Sequence, residues 1–149
     1  MSCTISTSVR AALINGLAAI PSLVTAEVAV SYGWDPNSRA RFQMFTGRPE
    51  LQEGPASIKS GRNFRNEEAT FPFVIHVELP GGNEFEADTQ ADIFSLVFEE
   101  WISDRKGNEL GVAGLNWIRL DSLQCPGGPT DSAFISQRIY TIRYNARLT

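Results

Sequence analysis

The sequence predicts an α+β fold, with a single mixed, mainly antiparallel β-sheet flanked by two α-helices. Three observations support this fold class. Two stretches carry apolar residues at helical spacing, five others alternate apolar and polar residues as strands do, and the strands follow one another in runs. The 149 residues, 42% hydrophobic and 20% charged, suit one hydrophobic core. We therefore expect residues 1–149 to form a single domain.

The first predicted element is a helix over residues 7–19. Val9, Leu13 and Leu17 recur at helical spacing, and the serines and threonine ahead of them are suited to capping the helix. Pro21 is expected to end it, because proline lacks the backbone N–H that a helix interior needs. No stretch approaches the roughly 20 apolar residues of a membrane span, so no membrane partner is expected.

The next elements are two strands and an irregular stretch. Alternating apolar and polar residues predict strands over residues 27–32 and 39–46. Residues 47–66 lack clear periodicity and are expected to be irregular, apart from a short strand near residues 56–59.

The strongest strand signal covers residues 69–79, where Phe73, Ile75 and Val77 fall on one face. Pro72 cannot donate a backbone hydrogen bond, which predicts that its end of the strand lies at a sheet edge or a bulge. Two further strands are expected over residues 115–123 and 134–144, separated by a turn over residues 124–131.

A second helix is predicted from Glu84 to about Ser103. Asn83 followed by Glu86 has the form of an N-terminal cap. The apolar residues of this helix share one face: Ala87, Ala91, Phe94, Phe98 and Trp101. We expect this face to pack against the apolar face of the strand over residues 69–79.

The residues offer little chemistry. His76 is the only histidine, which excludes a Cys/His or Ser/His/Asp arrangement elsewhere and any two-histidine metal motif within the chain. It falls in the middle of a strand and is interpreted as structural, and Cys3 and Cys125 are interpreted as free thiols. We therefore expect no catalytic residue, no metal and no cofactor.

Charge is distributed unevenly along the chain. The net charge of −4 argues against a general nucleic-acid binder. Residues 39–65 contain six basic residues and two acids, a net of +4, whereas residues 84–104 contain seven acids and no base, a net of −7. The chain thus has one basic and one acidic element.

Several segments together resemble a known family. They are VAVSYGW at residues 28–34, Phe45-Thr46-Gly47, GRNFRNEEATFPFVIHV at residues 61–77, and a Pro-Gly-Gly turn before an acidic amphipathic helix. In this order, from about Val9 to Arg143, they are similar to the tail terminator proteins of long-tailed phages.

The resemblance implies a non-enzymatic, tail-terminator-like domain. Its copies would form a homohexameric ring that ends the completed tail tube and joins it to the head. The implied partners are the tail tube protein and the head–tail connector protein, with DNA passing through the lumen without specific binding. The implied location is the virion, at the tail and neck, after assembly in the host cytoplasm.

Opposite charge suits a ring contact in which different edges of neighbouring subunits meet. We therefore expect a basic and an acidic set of residues at the subunit interface: Arg39, Arg41, Arg62 and Arg65, and Glu86, Asp88, Asp92 and Glu99. A rival use of the acids is to line the channel, where negative walls would keep DNA from sticking.

Three alternatives stay open. A head-completion or neck connector protein has a similar size. A non-viral binding module, acting as a monomer or dimer, would be revealed by its mass in solution and by a small ligand that raises its melting temperature. An enzyme would need a single-residue mechanism in a cleft around His76 or Cys125.

Overall fold

A computed structural model describes residues 5–53, 57–59, 62–105 and 110–148, with the backbone alone for residues 52–53, 57–59, 62–65 and 148. The helices are α1 (Ser6–Ala18), α2 (Pro21–Thr25) and α3 (Glu84–Ser103). The strands are β1 (Ala29–Ser31), β2 (Phe42–Thr46), β3 (Glu50–Glu53), β4 (Ser57–Lys59), β5 (Arg62–Pro80), β6 (Leu115–Gln124), β7 (Gly127–Pro129) and β8 (Ala133–Leu148). None of the described helices is long and apolar enough to span a membrane.

The strands form one mixed sheet in the order β1-β2-β5-β8-β6, in which β3 and β4 also pair with β5 and β7 pairs with β8. Only the β1–β2 pairing is parallel among the described strands. The longest ladder joins β5 to β8, from Arg65 opposite Leu148 to Pro80 opposite Ala133. The predicted α+β fold with a mainly antiparallel sheet is therefore confirmed.

The core lies between one face of this sheet and the helices α1 and α3. Alternate residues of β5 are fully buried there, including Phe73, Ile75 and Val77. The ring of Phe73 stacks on that of Phe98 with centroids 4.2 Å apart, which confirms the predicted contact between the strand and α3. The two helices also meet closely, since a Cβ on Gly16 would lie 2.3 Å from the indole of Trp101.

Two predictions from proline were wrong in part. Helix α1 already ends at Ala18, and Pro21 begins the short helix α2 instead of ending α1. Proline suits the first position of a helix, because a backbone N–H at that position would have no partner within the helix. Pro72 lies in the central strand β5 and not at a sheet edge.

The position of Pro72 has a physical reason. Its carbonyl accepts the N–H of Gly47 at 2.8 Å, on the side where the neighbouring strand is interrupted between β2 and β3. The backbone nitrogen and carbonyl of one strand residue point to the same side of the strand. The nitrogen of Pro72, which has no hydrogen to donate, therefore faces this interruption, where no strand residue needs it as a donor. A Cβ on Gly47 would lie 2.4 Å from the Pro72 ring, so a glycine is needed opposite the proline.

The expectation of an irregular segment over residues 47–66 was wrong for most of the residues described. The structure places β3, β4 and the beginning of β5 there, each paired in an antiparallel ladder. The predicted short strand is confirmed at Ser57–Lys59, while residues 54–56 and 60–61 lie outside the described residues. Similarly, the predicted turn over residues 124–131 contains β7.

Candidate assembly surface

Helix α3 is fixed at its N-terminus by the predicted cap. The side chain of Asn83 accepts the N–H of Glu86 at 2.9 Å, which satisfies one of the free donors of the first turn. Glu84 and Glu86 lie in that turn, where the helix dipole favours negative charge. The predicted bounds, Glu84–Ser103, are confirmed.

One flank of α3 is joined to β8 by a buried arginine. Arg138 donates from Nε and Nη2 to Oδ1 of Asp92 at 3.2 and 3.0 Å, and Nη2 lies 3.8 Å from Oδ1 of Asp88. Asp88 also accepts the hydroxyl of Ser136 at 2.6 Å. The Arg138 side chain is 7% exposed, against 43% for Asp88 and 70% for Asp92. The cation is thus enclosed, while both carboxylates reach water.

A third acid on this flank binds the same strand. Glu99 accepts the hydroxyl of Tyr140 at 2.8 Å. Burial raises the pKa of Tyr140 well above its ordinary value, which keeps the hydroxyl protonated as a donor. Asp88, Asp92 and Glu99 therefore have partners inside their own subunit, and their predicted place at a subunit interface stays a prediction.

The sequence interpretation did not identify the three residues that bind these acids. Ser136, Arg138 and Tyr140 are alternate residues of β8 and so point to the same face of the sheet. Arg138 is the charged residue on a face of β8 whose next buried members, Tyr140 and Ile142, are largely apolar. This interruption of the pattern was the available signal for a buried ion pair.

The outer face of α3, which points away from the sheet, carries exposed apolar side chains. Phe85 is 78% exposed, Ile93 is 51% exposed and Leu96 is 57% exposed. Their spacing of eight and then three residues places them on one side of the helix. Glu86 and Glu100 are also exposed, and α3 contains no basic residue. We call Phe85, Ile93 and Leu96 the outer face of α3.

The predicted basic element is divided in the structure. Arg39 and Arg41 are exposed and lie between β1 and β2, and the carbonyl of Arg41 accepts the N–H of Glu78 near the end of β5. Arg62 and Arg65 lie at the beginning of β5, roughly 44–54 Å from Glu78 along a strand that rises about 3.4 Å per residue. The four arginines therefore do not form one patch, which corrects the single basic element.

The acids of α3 and the exposed arginines remain separate within the subunit. Among the residues whose side chains are described, neither Arg39 nor Arg41 forms an ion pair. Trp34, in the same segment between β1 and β2, is 66% exposed.

His76 lies on the face of the sheet opposite α3. Its Nδ1 is 2.8 Å from the side-chain nitrogen of Gln137, and its Nε2 is 3.9 Å from a carboxylate oxygen of Glu78. Burial lowers the pKa of His76, although the Glu78 carboxylate opposes this effect. Across the described part of the chain, no three His, Cys, Asp or Glu residues are grouped as metal ligands.

Comparison with known proteins finds a likeness in fold. No family model and no curated protein matches the sequence significantly. A solved structure described as the virion of a native gene transfer agent particle contains a chain with the same architecture, at a TM-score of 0.60 and 17% sequence identity. The chains share a fold. Their alignment covers 99% of this chain and 100% of that chain, so the shared fold is the whole of both.

Proposed function

We propose that this protein is a structural, non-enzymatic component of a phage-like virion, with a place in the tail. The observation that carries the proposal is the full-length likeness in fold to a chain of a gene transfer agent virion. Such a likeness to a chain of a particle favours a role in assembly over an enzymatic role. The resemblance to tail terminators, which rests on different observations, points to the same kind of particle.

The finer role we propose is a homohexameric ring that ends the tail tube and joins it to the head. Its partners would be further copies of this chain, the tail tube protein and the head–tail connector protein, and DNA would pass through its lumen. The exposed apolar outer face of α3 supports an assembly role, because soluble monomers rarely leave adjacent large apolar side chains in water without use.

Loss of the gene tests this role and separates it from that of a neck connector. Without a terminator, tail tubes have no stop and should vary in length, and heads should stay detached. Without a connector, finished tails of uniform length should accumulate beside detached heads. Electron microscopy of lysates, with the gene restored in trans as the control, distinguishes the two results. Normal, joined particles in the absence of the gene would contradict both roles.

A further inference from the structure

We propose that the outer face of α3 binds a second copy of this chain. The surface of the second copy that it contacts is the segment between β1 and β2, which contains Trp34, Arg39 and Arg41. This inference rests on the proposed assembly role and specifies which surfaces of the subunit meet. It moves the contact from the flank of α3, where Asp88, Asp92 and Glu99 bind β8, to the side that nothing in the described subunit covers.

The outer face of α3 is suited to burial in a contact. Phe85, Ile93 and Leu96 are each more than half exposed and lie on one side of a helix whose cap and buried face are already satisfied. Aromatic and large aliphatic side chains that lose water at the centre of a contact stabilise it through the apolar area that they bury. More than half exposed in the subunit, they contribute less to its fold than the buried residues of the helix do.

Charge excludes a symmetric contact of α3 with α3. The helix carries six acids and no base, and only Arg138 of β8 forms ion pairs with any of them in the described subunit. Two such helices placed face to face would bring like charges together in a site that loses water. The surface seated on α3 must therefore be apolar at its centre and positive around it.

The chain itself offers such a surface. Trp34 is 66% exposed, and Arg39 and Arg41 of the same segment are exposed without an ion pair among the described residues. The acid of this segment, Asp35, accepts the N–H of Asn37 at 2.9 Å within its own turn. Tryptophan and arginine are the residues most enriched at the energetic centres of interfaces.

Two different surfaces that fit each other make a heterologous contact, in which each subunit uses its α3 toward one neighbour and its β1–β2 segment toward the other. Repeated contacts of this kind close into a ring when the rotation between subunits divides a full turn. A ring of copies is what the proposed function requires.

Sedimentation velocity of two variants and their mixture tests the contact. The first variant is Ile93→Ser with Leu96→Ser, and the second is Trp34→Ser with Arg41→Glu. Each should weaken self-association at least about tenfold, as expected when central contact residues are lost. Val24→Ser is the matched control, because Val24 is 62% exposed on α2 and belongs to neither surface.

The mixture of the two variants decides the pairing. Each variant keeps the surface that the other has lost, so an equimolar mixture should form a one-to-one complex that grows no further. The inference is overturned if the wild-type protein stays monomeric, if the first variant associates like the control, or if the mixture forms no complex. Because the particle role is judged separately by loss of the gene, any of these results would leave that test unaffected.

Discussion

The inner and outer sides of α3 differ in what they contact, although both are rich in groups that suggest binding. On the inner side and its flank, Phe98 packs on Phe73, and Asp92 binds Arg138. On the outer side, Phe85, Ile93 and Leu96 face solvent beside carboxylates. The difference teaches that a charge in the sequence does not identify an assembly surface, since three of the four acids first assigned to an interface bind β8 within their own subunit.

The largest expected effect contrasts a residue of each side. Phe98→Ala should lower the free energy of unfolding by about 3–5 kcal/mol, because it removes a fully buried ring that packs on Phe73 of β5 and Tyr140 of β8. Leu96→Ala, two positions earlier on the outer face, should change it by less than about 0.5 kcal/mol. Urea denaturation measures both. A loss below about 1 kcal/mol for Phe98→Ala would remove Phe98 from the core.

A smaller effect should come from the buried ion pair, and its size should depend on which partner is removed. Asp88→Asn with Asp92→Asn leaves the enclosed guanidinium of Arg138 without a counter-charge and should cost about 2–3 kcal/mol. Arg138→Met leaves only carboxylates that water reaches, and should cost about 1 kcal/mol.

The same denaturation measurement decides the ion-pair prediction. Equal losses for the two changes would mean that Arg138 is less enclosed than the structure shows. A charge reversal at Asp88 and Asp92 is for this reason a poor test of a subunit interface, because it would also loosen α3 from β8.

The hydroxyl of Tyr140 should have a still smaller effect. Tyr140→Phe removes its hydrogen bond to Glu99 and should cost about 1 kcal/mol, because Glu99 is exposed and water can replace the donor. Glu100→Gln, next to Glu99 and with a carboxylate that accepts no hydrogen bond among those described, is the control and should be close to neutral. Thermal unfolding of both variants provides the comparison, and equal midpoints would contradict it.

The smallest expected effect lies on the opposite face of the sheet, at His76. Because burial lowers the pKa of His76 in the folded state, the unfolded chain binds the proton first as the pH falls through its ordinary value of 6.5. The contribution of His76 to the free energy of unfolding should be fully present above that pH and should decrease as the pH falls below it. His76→Gln should remove this part of the pH dependence, and an unchanged profile between pH 7 and pH 5 would contradict the assignment.

Much of the fold was predictable because it depends on local patterns. The cap at Asn83, the helical stripe ending near Ser103 and the alternation of β5 each follow from neighbours in sequence. The strand β3 was not predictable in this way, because it is stabilised by pairing with β5 and carries no periodicity of its own.

The candidate surface was harder to predict, because it depends on contacts between distant residues. Asp92 and Arg138 are 46 residues apart, so nothing local indicates that the acid is occupied within its own subunit. Likewise, Phe85 and Leu96 lie outside the apolar stripe predicted for this helix, and only the packing of α3 on the sheet shows that they are exposed. Arg39 and Arg41 are separated from Arg62 and Arg65 by the length of β5. The strand predicted from the sequence, residues 69–79, was shorter than the observed Arg62–Pro80.

The proposed role of this chain is that of a structural ring subunit of a virion tail. The most direct measurement is electron microscopy of purified particles that carry a label on this chain, with unlabelled particles as the control. The account predicts a single band of label at the junction of head and tail, in a fixed small number of copies per particle. Label that is absent from particles with the wild-type function, or that is spread over the head surface, would contradict it.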